Sequence, residues 1–316
     1  MNTISSVEEL DDYRTEYHWR VASDASFVRL DKWLAEHAPE FSRSQWQRWI
    51  RDGCVLVDGE PVCSPKHTLL PGAEVVAAVT IEPVCVDRPE PRILPVVFED
   101  DHLLVLDKPA GWVVHPGAGH RSGTLMNWLL AYDAALSNLP RAGIVHRLDK
   151  ETSGLMVVAK TPVAHQQLVA ALAARTIARR YWAIAVGRIE RKTTVAAPIG
   201  RHPTQRVKMA VVPHGKPAVT HVTPLETFGD TATLVQCDLE SGRTHQIRVH
   251  LAHLGHPLIG DPLYGNAKVR QWPLARQALH ASRLTFRHPV HDETMTFHSP
   301  LPDDLAELLH TLRAAQ

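Results

Sequence analysis

The sequence predicts an α+β protein: a mixed, mainly antiparallel sheet domain preceded by a small α/β module. Three observations lead there. After residue 95, short apolar runs of strand composition, "VVFED", "LLVLDKP", "IVHRL", "LMVVAK", "YWAIAV" and "TATLVQCDL", often follow one another without a helical crossover, which disfavours a doubly wound parallel sheet. Before it, two short amphipathic helices lead into a hairpin sequence. Between the two, residues 84–95, "VCVDRPEPRILP", hold three prolines and read as a linker.

Taken in order, residues 1–26 are polar, acidic and aperiodic and are expected to be a flexible extension. The module is expected over 27–90 and the large domain over 91–316. In "VRLDKWLAEHAP", Leu30, Trp33 and Leu34 fall at i, i+3 and i+4, an amphipathic helix stopped by Pro39. Ser42 can cap a second helix carrying Trp46, Trp49 and Ile50 and closed by Gly53. "CVLVDGEPV" then reads as a hairpin turning at Asp58-Gly59. In the large domain, helices are predicted near 124–132, 162–174, 244–254 and 303–314.

Composition narrows the function classes. Apolar residues at 44% and charged residues at 22% fit a soluble globular protein. No window approaches the length of a membrane span, and the acidic N-terminal stretch lacks the apolar core of a secretory signal. Cys54, Cys63, Cys85 and Cys237 form no CxxC pair, so neither a disulfide framework nor a zinc site is indicated, and a cytoplasmic location is expected. The net charge of zero conceals an asymmetry: residues 1–90 hold 9 Lys/Arg against 16 Asp/Glu, the remainder 25 against 18. Residues 175–216 hold ten basic residues and one acid, Glu190. That block is either a polyanion site, since each neutralised phosphate releases counterions, or a solvated basic face.

Three segments carry candidate chemistry. "GIVHRLDKETSGLMVVAK" places Arg147, Asp149, Lys150 and Glu151 between two apolar runs. They form either an exposed hairpin tip or a reactive group on a rigid mount, with Gly154 giving the return turn. In "RYWAIAV", a period of two puts Trp182, Ile184 and Val186 on one face and Tyr181, Ala183 and Ala185 on the other. Tyr181 is then either a packed ring or a platform with room above it for a planar base. In "GRTHQIRVHLAHLGHP", Thr244 is the expected N-cap, Gly255 the C′ residue, and Ile247, Leu251 and Leu254 the inner stripe. Arg248 is either a surface helix charge or the partner of a carboxylate at the rim of the core. His245, His250, His253 and His256 lack metal-site spacing and read as polar surface residues, and "PGAGHRSG" is neither a dinucleotide fingerprint nor a Walker loop.

"HRLDKETSGL" resembles the signature loop of the RluA-type family of RNA pseudouridine synthases, with Asp149 at the catalytic aspartate. "RRYWAI", "SGRTHQIRVHLAHLGHPLIGDPLYG", "KPAGWVVHPGAG" and "RQALHASRLTFRHP" resemble further family segments in the same order, and the two helices and hairpin resemble the S4-type RNA-binding module. The likeness spans about residues 27–312, and "HPGAG" and "GRHPTQR" tie it to members acting on large-subunit ribosomal RNA.

The resemblance implies isomerisation of uridine to pseudouridine by base flipping, with no cofactor and no metal. It implies Asp149, Tyr181 and Arg248 as catalytic residues, Asp149 either attacking the sugar or assisting proton loss from it. Arg147 would fill the space left by the flipped nucleotide, and Ile247 would floor the pocket. His146, Arg201 and His202 would also contact substrate, and Arg43, Arg48 and Arg51 would grip RNA from the second helix. The implied partner is a structured RNA, a ribosomal stem-loop, with no membrane and no protein partner indicated, and the chain acting as a monomer. Two rivals stay open: a non-catalytic RNA-binding or assembly factor, and a carboxylate-based hydrolase, which would want a second acid beside Asp149. Glu151 is the adjacent candidate.

Overall fold

A computed structural model describes the chain except at residues 1–3, 12–13, 24–26, 40, 81–87, 118–119, 206, 266–268, 270–271 and 316. It divides into two compact units, Met1–Cys85 and Val86–Gln316. Much of the linker expected at 84–95 lies outside the described residues.

The first unit contains β1 (Ile4–Asp11), β2 (Arg14–Arg20), β3 (Val28–Arg29), α1 (Leu30–His37), α2 (Arg43–Arg51), β4 (Val55–Val57), β5 (Glu60–Pro61), β6 (Thr68–Leu69) and β7 (Glu74–Thr80). Its main sheet runs β1-β2-β7-β4-β5, and β3 pairs with β6. The expected flexible extension is corrected here. Over its whole length β2 pairs antiparallel with β7, and Tyr17, Trp19 and Val21 are buried. Their spacing of two, passed over in the sequence, is the signal of a strand with one inward face. Trp19 meets Trp33 and Trp46 edge to face, both at 6.1 Å, so the two helices pack on this strand. Ser42 caps α2 in a full capping box with Gln45. The hairpin turns with positive φ at both Asp58 (51°) and Gly59 (81°), the geometry that favours Asp-Gly.

The second unit begins with β8 (Val96–Glu99), β9 (Leu103–Lys108), α3 (Leu125–Tyr132), β10 (Ser153–Ala159), α4 (Pro162–Ala173) and β11 (Ala178–Val186). It continues with β12 (Thr193–Ala196), β13 (Ile199–Arg201), β14 (Met209–Val211), β15 (Val219–Phe228) and β16 (Ala232–Leu239). It ends with α5 (Gln246–His253), β17 (Leu279–Arg287), β18 (Thr294–His298) and α6 (Asp303–Ala314). The large sheet runs β12-β15-β16-β11-β17-β10-β9-β8, with β18 also on β17. Its pairs are antiparallel except β10 with β17, which is parallel. This is the mixed, mainly antiparallel sheet the sequence predicts.

Both faces of the sheet are covered. On β11, Tyr181, Ala183 and Ala185 join the core containing α3 and α5, while Ile184 and Val186 join the one under α6. On β10, Met156 and Val158 face the first of these and Leu155 and Val157 face α4. "IVHRL" is not a strand: apart from a single bridge of Ile144 to Val158, it runs outside the ladder. Gly154 makes no return turn either. It sits within β10 at φ +113°, where a Cβ would lie 2.3 Å from the Ala281 carbonyl oxygen. Its bare backbone is what lets β10 close on β17.

Candidate active site

The loop between the Ile144 bridge and β10 is fixed through its backbone. Thr152 N–H donates to the Asp149 carbonyl at 3.0 Å. The Lys150 carbonyl accepts from Gly111 N–H at 2.9 Å and from Lys108 Nζ at 3.0 Å. Arg276 Nη1 reaches the Glu151 carbonyl at 3.1 Å, and Gln277 Nε2 reaches Thr152 Oγ1 at 3.1 Å. The four charges therefore stand on a rigid mount, and Asp149 points its carboxylate away from it.

Asp149 lines a cavity of about 460 Å³ together with Tyr181, Arg248, Arg147, Ile247 and His146. Six residues singled out from the sequence thus converge on one cavity. Its size suits a small-molecule site. The Asp149 side chain is 17% exposed. Arg248 Nη1 donates to Asp149 Oδ2 at 3.1 Å, and the Nε/Nη2 edge of the guanidinium is bidentate on Asp261, at 2.7 and 2.9 Å. Burial opposes the Arg248 charge, but the hydrogen bonds and charges of Asp261 and Asp149 outweigh it and raise its pKa. Burial likewise pushes Asp261 up, and Arg248 more than reverses this to leave it low. The guanidinium also lies 5.0 Å over the Tyr264 ring.

Thr244 is not the N-cap of α5. That position is His245, at φ +57°. The turn carries the His245 ring to within 4.0 Å of Asp149 and 2.8 Å of the Tyr264 hydroxyl. Burial holds His245 below its ordinary pKa despite Asp149 nearby. Gly255 follows α5 at φ +85°, as a C′ glycine should. Reading all four histidines as surface residues fails for His250, which is fully buried and bonds Thr220 and the Ala197 carbonyl. Among the described residues no group of three His, Cys, Asp or Glu is placed to hold a metal.

Two imidazoles of the cavity wall, His146 and His115, are held neutral. Burial, aided by the Arg179 charge, lowers His146 to about 3, and its Nε2 accepts from Val157 N–H at 3.0 Å. Burial and the Arg141 and Arg147 charges lower His115 to about 4. Burial also raises the Tyr181 phenol. Arg141, Arg147, Arg175, Arg179 and Arg243 line the same cavity, and the buried Nε of Arg179 has no partner among the described residues. Glu151 does not line the cavity. The other acid that does, Glu240, is bound to Arg175 at 3.1 Å and His221 at 2.8 Å. Among the described residues, the second acid of the cavity wall is thus engaged by its own basic partners, and Asp149 by Arg248.

Two other residues of this unit named from the sequence are not part of that lining. Arg201 ends β13, and His202 accepts N–H bonds from Thr204 and Gln205 at 3.3 and 3.1 Å; neither lines the cavity. In the first unit, Arg43 is engaged by the fully buried Asp31 at 2.9 Å, together with Arg29 and Gln47. Arg48 approaches Asp52 at 3.7 Å, and Arg51 is exposed. The sequence reading passed over Lys108, Asp261, Tyr264, Arg276 and Arg179. A lysine closing an apolar strand in "LLVLDKP" and the acid in "GDPLYG" were the available signals.

The RNA pseudouridylate synthase family pattern matches residues 102–253, and the S4 domain pattern matches residues 28–75. A relative described as ribosomal large subunit pseudouridine synthase D, from Nitrosomonas europaea, is 49% identical over 303 residues, covering 93% of this chain and 87% of its own length. Its counterpart from Escherichia coli K12 is 46% identical over 299 residues, with 90% and 91% covered. Among solved structures, human RNA pseudouridylate synthase domain containing 1 superposes with a TM-score of 0.54 at 28% identity, covering 71% of this chain and 98% of that one. With relatives this similar along nearly their full length, the chain belongs to the RNA pseudouridine synthase family.

Proposed function

We propose that this chain isomerises specific uridines of large-subunit ribosomal RNA to pseudouridine, acting as a cytoplasmic monomer. The observation that carries the reading is the pairing of Asp149 with Arg248 at 3.1 Å on the wall of a cavity that also holds Tyr181. In this reaction the bond from N1 to C1′ breaks and a bond from C5 to C1′ forms. The proton lost from C5 is balanced by one gained at N1, so nothing is consumed.

The target nucleotide must first leave its stack, at roughly a few kcal/mol. Arg147, exposed beside the cavity, occupies the vacated space. Asp149 acts on the sugar, aimed by Arg248. Tyr181 stacks on the detached base as it turns, and Ile247 floors the pocket. The arginines around the cavity hold the neighbouring phosphates. Neutral His115 and His146 add no competing charge inside.

The test is incubation of the protein with uridine-labelled large-subunit RNA. Pseudouridine is expected with the native chain. Asp149→Asn is expected to lose at least about a hundredfold in turnover, the lower range for a positioned proton-transfer group, while binding RNA as before. Comparable turnover in the variant would falsify the assignment.

A further inference from the structure

A second ion pair stands behind the Asp149 loop. Arg276 is 6% exposed, and its Nε and Nη2 are both taken by Asp304 in the first turn of α6, at 2.6 and 2.8 Å. That bidentate grip fixes the guanidinium plane. Only Nη1 remains, and it is shared by three carbonyls: Glu151 at 3.1 Å, and Gln277 and Leu279 at 3.3 Å. Glu151 is two residues beyond Asp149, and Leu279 lines the cavity.

The contact continues as a ladder along both segments. Gln277 meets Thr152 at 3.1 Å, His280 Nδ1 meets Ser153 Oγ at 3.0 Å, and Ala281 stands opposite Gly154 in the parallel pairing. Arg276 is its first rung and the only one tied to another element by a charge pair. From the other side, Lys108 Nζ grips the next carbonyl, that of Lys150. The loop is therefore clamped from two directions, and one clamp is anchored outside the sheet.

We propose that Asp304, through Arg276, is a positioning residue for Asp149, so that the C-terminal helix sets the register of the reactive loop. The proposal rests on the reading of Asp149 as the reacting carboxylate. Without the Asp304 carboxylate the guanidinium is free to rotate, the Glu151 carbonyl loses its fixed donor, and the Asp149 carboxylate is no longer held against the sugar. A purely structural pair would lower thermal stability and leave turnover per folded molecule alone. A positioning pair lowers kcat and leaves RNA affinity alone.

The experiment compares native chain, Asp304→Asn and Asp304→Glu for kcat, KM, RNA affinity, and hydrogen exchange of the amides of residues 149–153. Asp304→Asn is expected to lose about tenfold to a hundredfold in kcat, the scale of a misplacement near 1 Å. Affinity should stay within about twofold, exchange in 149–153 should quicken, and Asp304→Glu should recover part of the loss. Unchanged kcat and unchanged exchange in a folded Asp304→Asn protein overturn the proposal. If that variant does not fold, Asp304→Glu alone carries the test, since it keeps the charge but displaces it. Should the native chain make no pseudouridine, the functional reading fails by itself, and the exchange measurement still decides whether Asp304 holds the loop.

Discussion

The guanidinium of Arg248 meets Asp149 through a single hydrogen bond, 3.1 Å from Nη1 to Oδ2. Its Nε and Nη2 donate to Asp261 at 2.7 and 2.9 Å, so Asp261 fixes the plane from which Nη1 extends to Asp149. A lysine keeps the charge but cannot span both carboxylates. Arg248→Lys is expected to lose about a hundredfold in turnover with stability largely kept. Arg248→Ala leaves the buried Asp261 unpaired and should also lose about 3–5 kcal/mol of stability. Single-turnover assays and denaturant unfolding separate the two. If Arg248→Lys turns over like the native enzyme, the arrangement is decorative.

Lys108 is fully buried, and burial pushes its amine from 10.5 down to about 7, although Glu151 and Asp149 pull the other way. The unfolded chain therefore binds more protons than the folded one between about pH 7 and 10.5. The destabilisation from burying the ammonium is full below that window and fades as pH rises through it. Relative to Lys108→Met, the native chain should gain stability from pH 7 to 9. The gain is bounded by about 1.4 kcal/mol per pKa unit and reduced by the three carbonyls that favour the ammonium. Unfolding curves at both pH values test this, and a flat difference between the two proteins refutes it.

Gly154→Ala should damage the fold beneath the site. Its Cβ would sit 2.3 Å from one backbone atom of Ala281 and 2.6 Å from another, at φ +113°. Backbone on both sides cannot yield as a side chain would, so a loss of at least about 3 kcal/mol is expected. Gly255→Ala is the control. Its φ is also positive, but a Cβ there meets nothing within 4 Å, and about 1 kcal/mol is expected. Equal melting temperatures for the two variants would contradict the close-approach argument.

What the sequence made legible follows from the range of the interactions. The face pattern of β11 and the capped ends of α2 depend on residues two to four apart, and they were read correctly. Asp149, Tyr181, Arg248, Arg147, Ile247 and His146, singled out through family motifs rather than local pattern, line one cavity. β17 was missed because His280, Ser282 and Arg283 interrupt its apolar run, while their partners lie on β10, β11 and β18. β15 was missed because Pro224 falls inside it, at a register shift that tolerates the missing N–H. The clamps on the loop, Lys108 and Arg276, act across 42 and 125 residues of chain, which no local pattern encodes.

The arginines of α2 looked equivalent by composition, and their surroundings separate them. Asp31 is fully buried and is held by Arg29, Arg43 and Gln47. Burial alone would raise its pKa, but those donors, Gln47 first, bring it below the ordinary value. Arg43 is thus already committed to the fold of its own unit, whereas Arg51 is exposed. Arg51→Ala should weaken RNA binding and flatten the dependence of log K on log salt by about 0.7–0.9, the change for one phosphate contact. Arg43→Ala should instead lower the melting temperature of the first unit, by an amount set by about 1 kcal/mol or less, since Asp31 keeps two other partners. A salt titration of RNA affinity with both variants decides it. If Arg43→Ala changes the slope and Arg51→Ala does not, the RNA-facing side of α2 has been assigned the wrong way round.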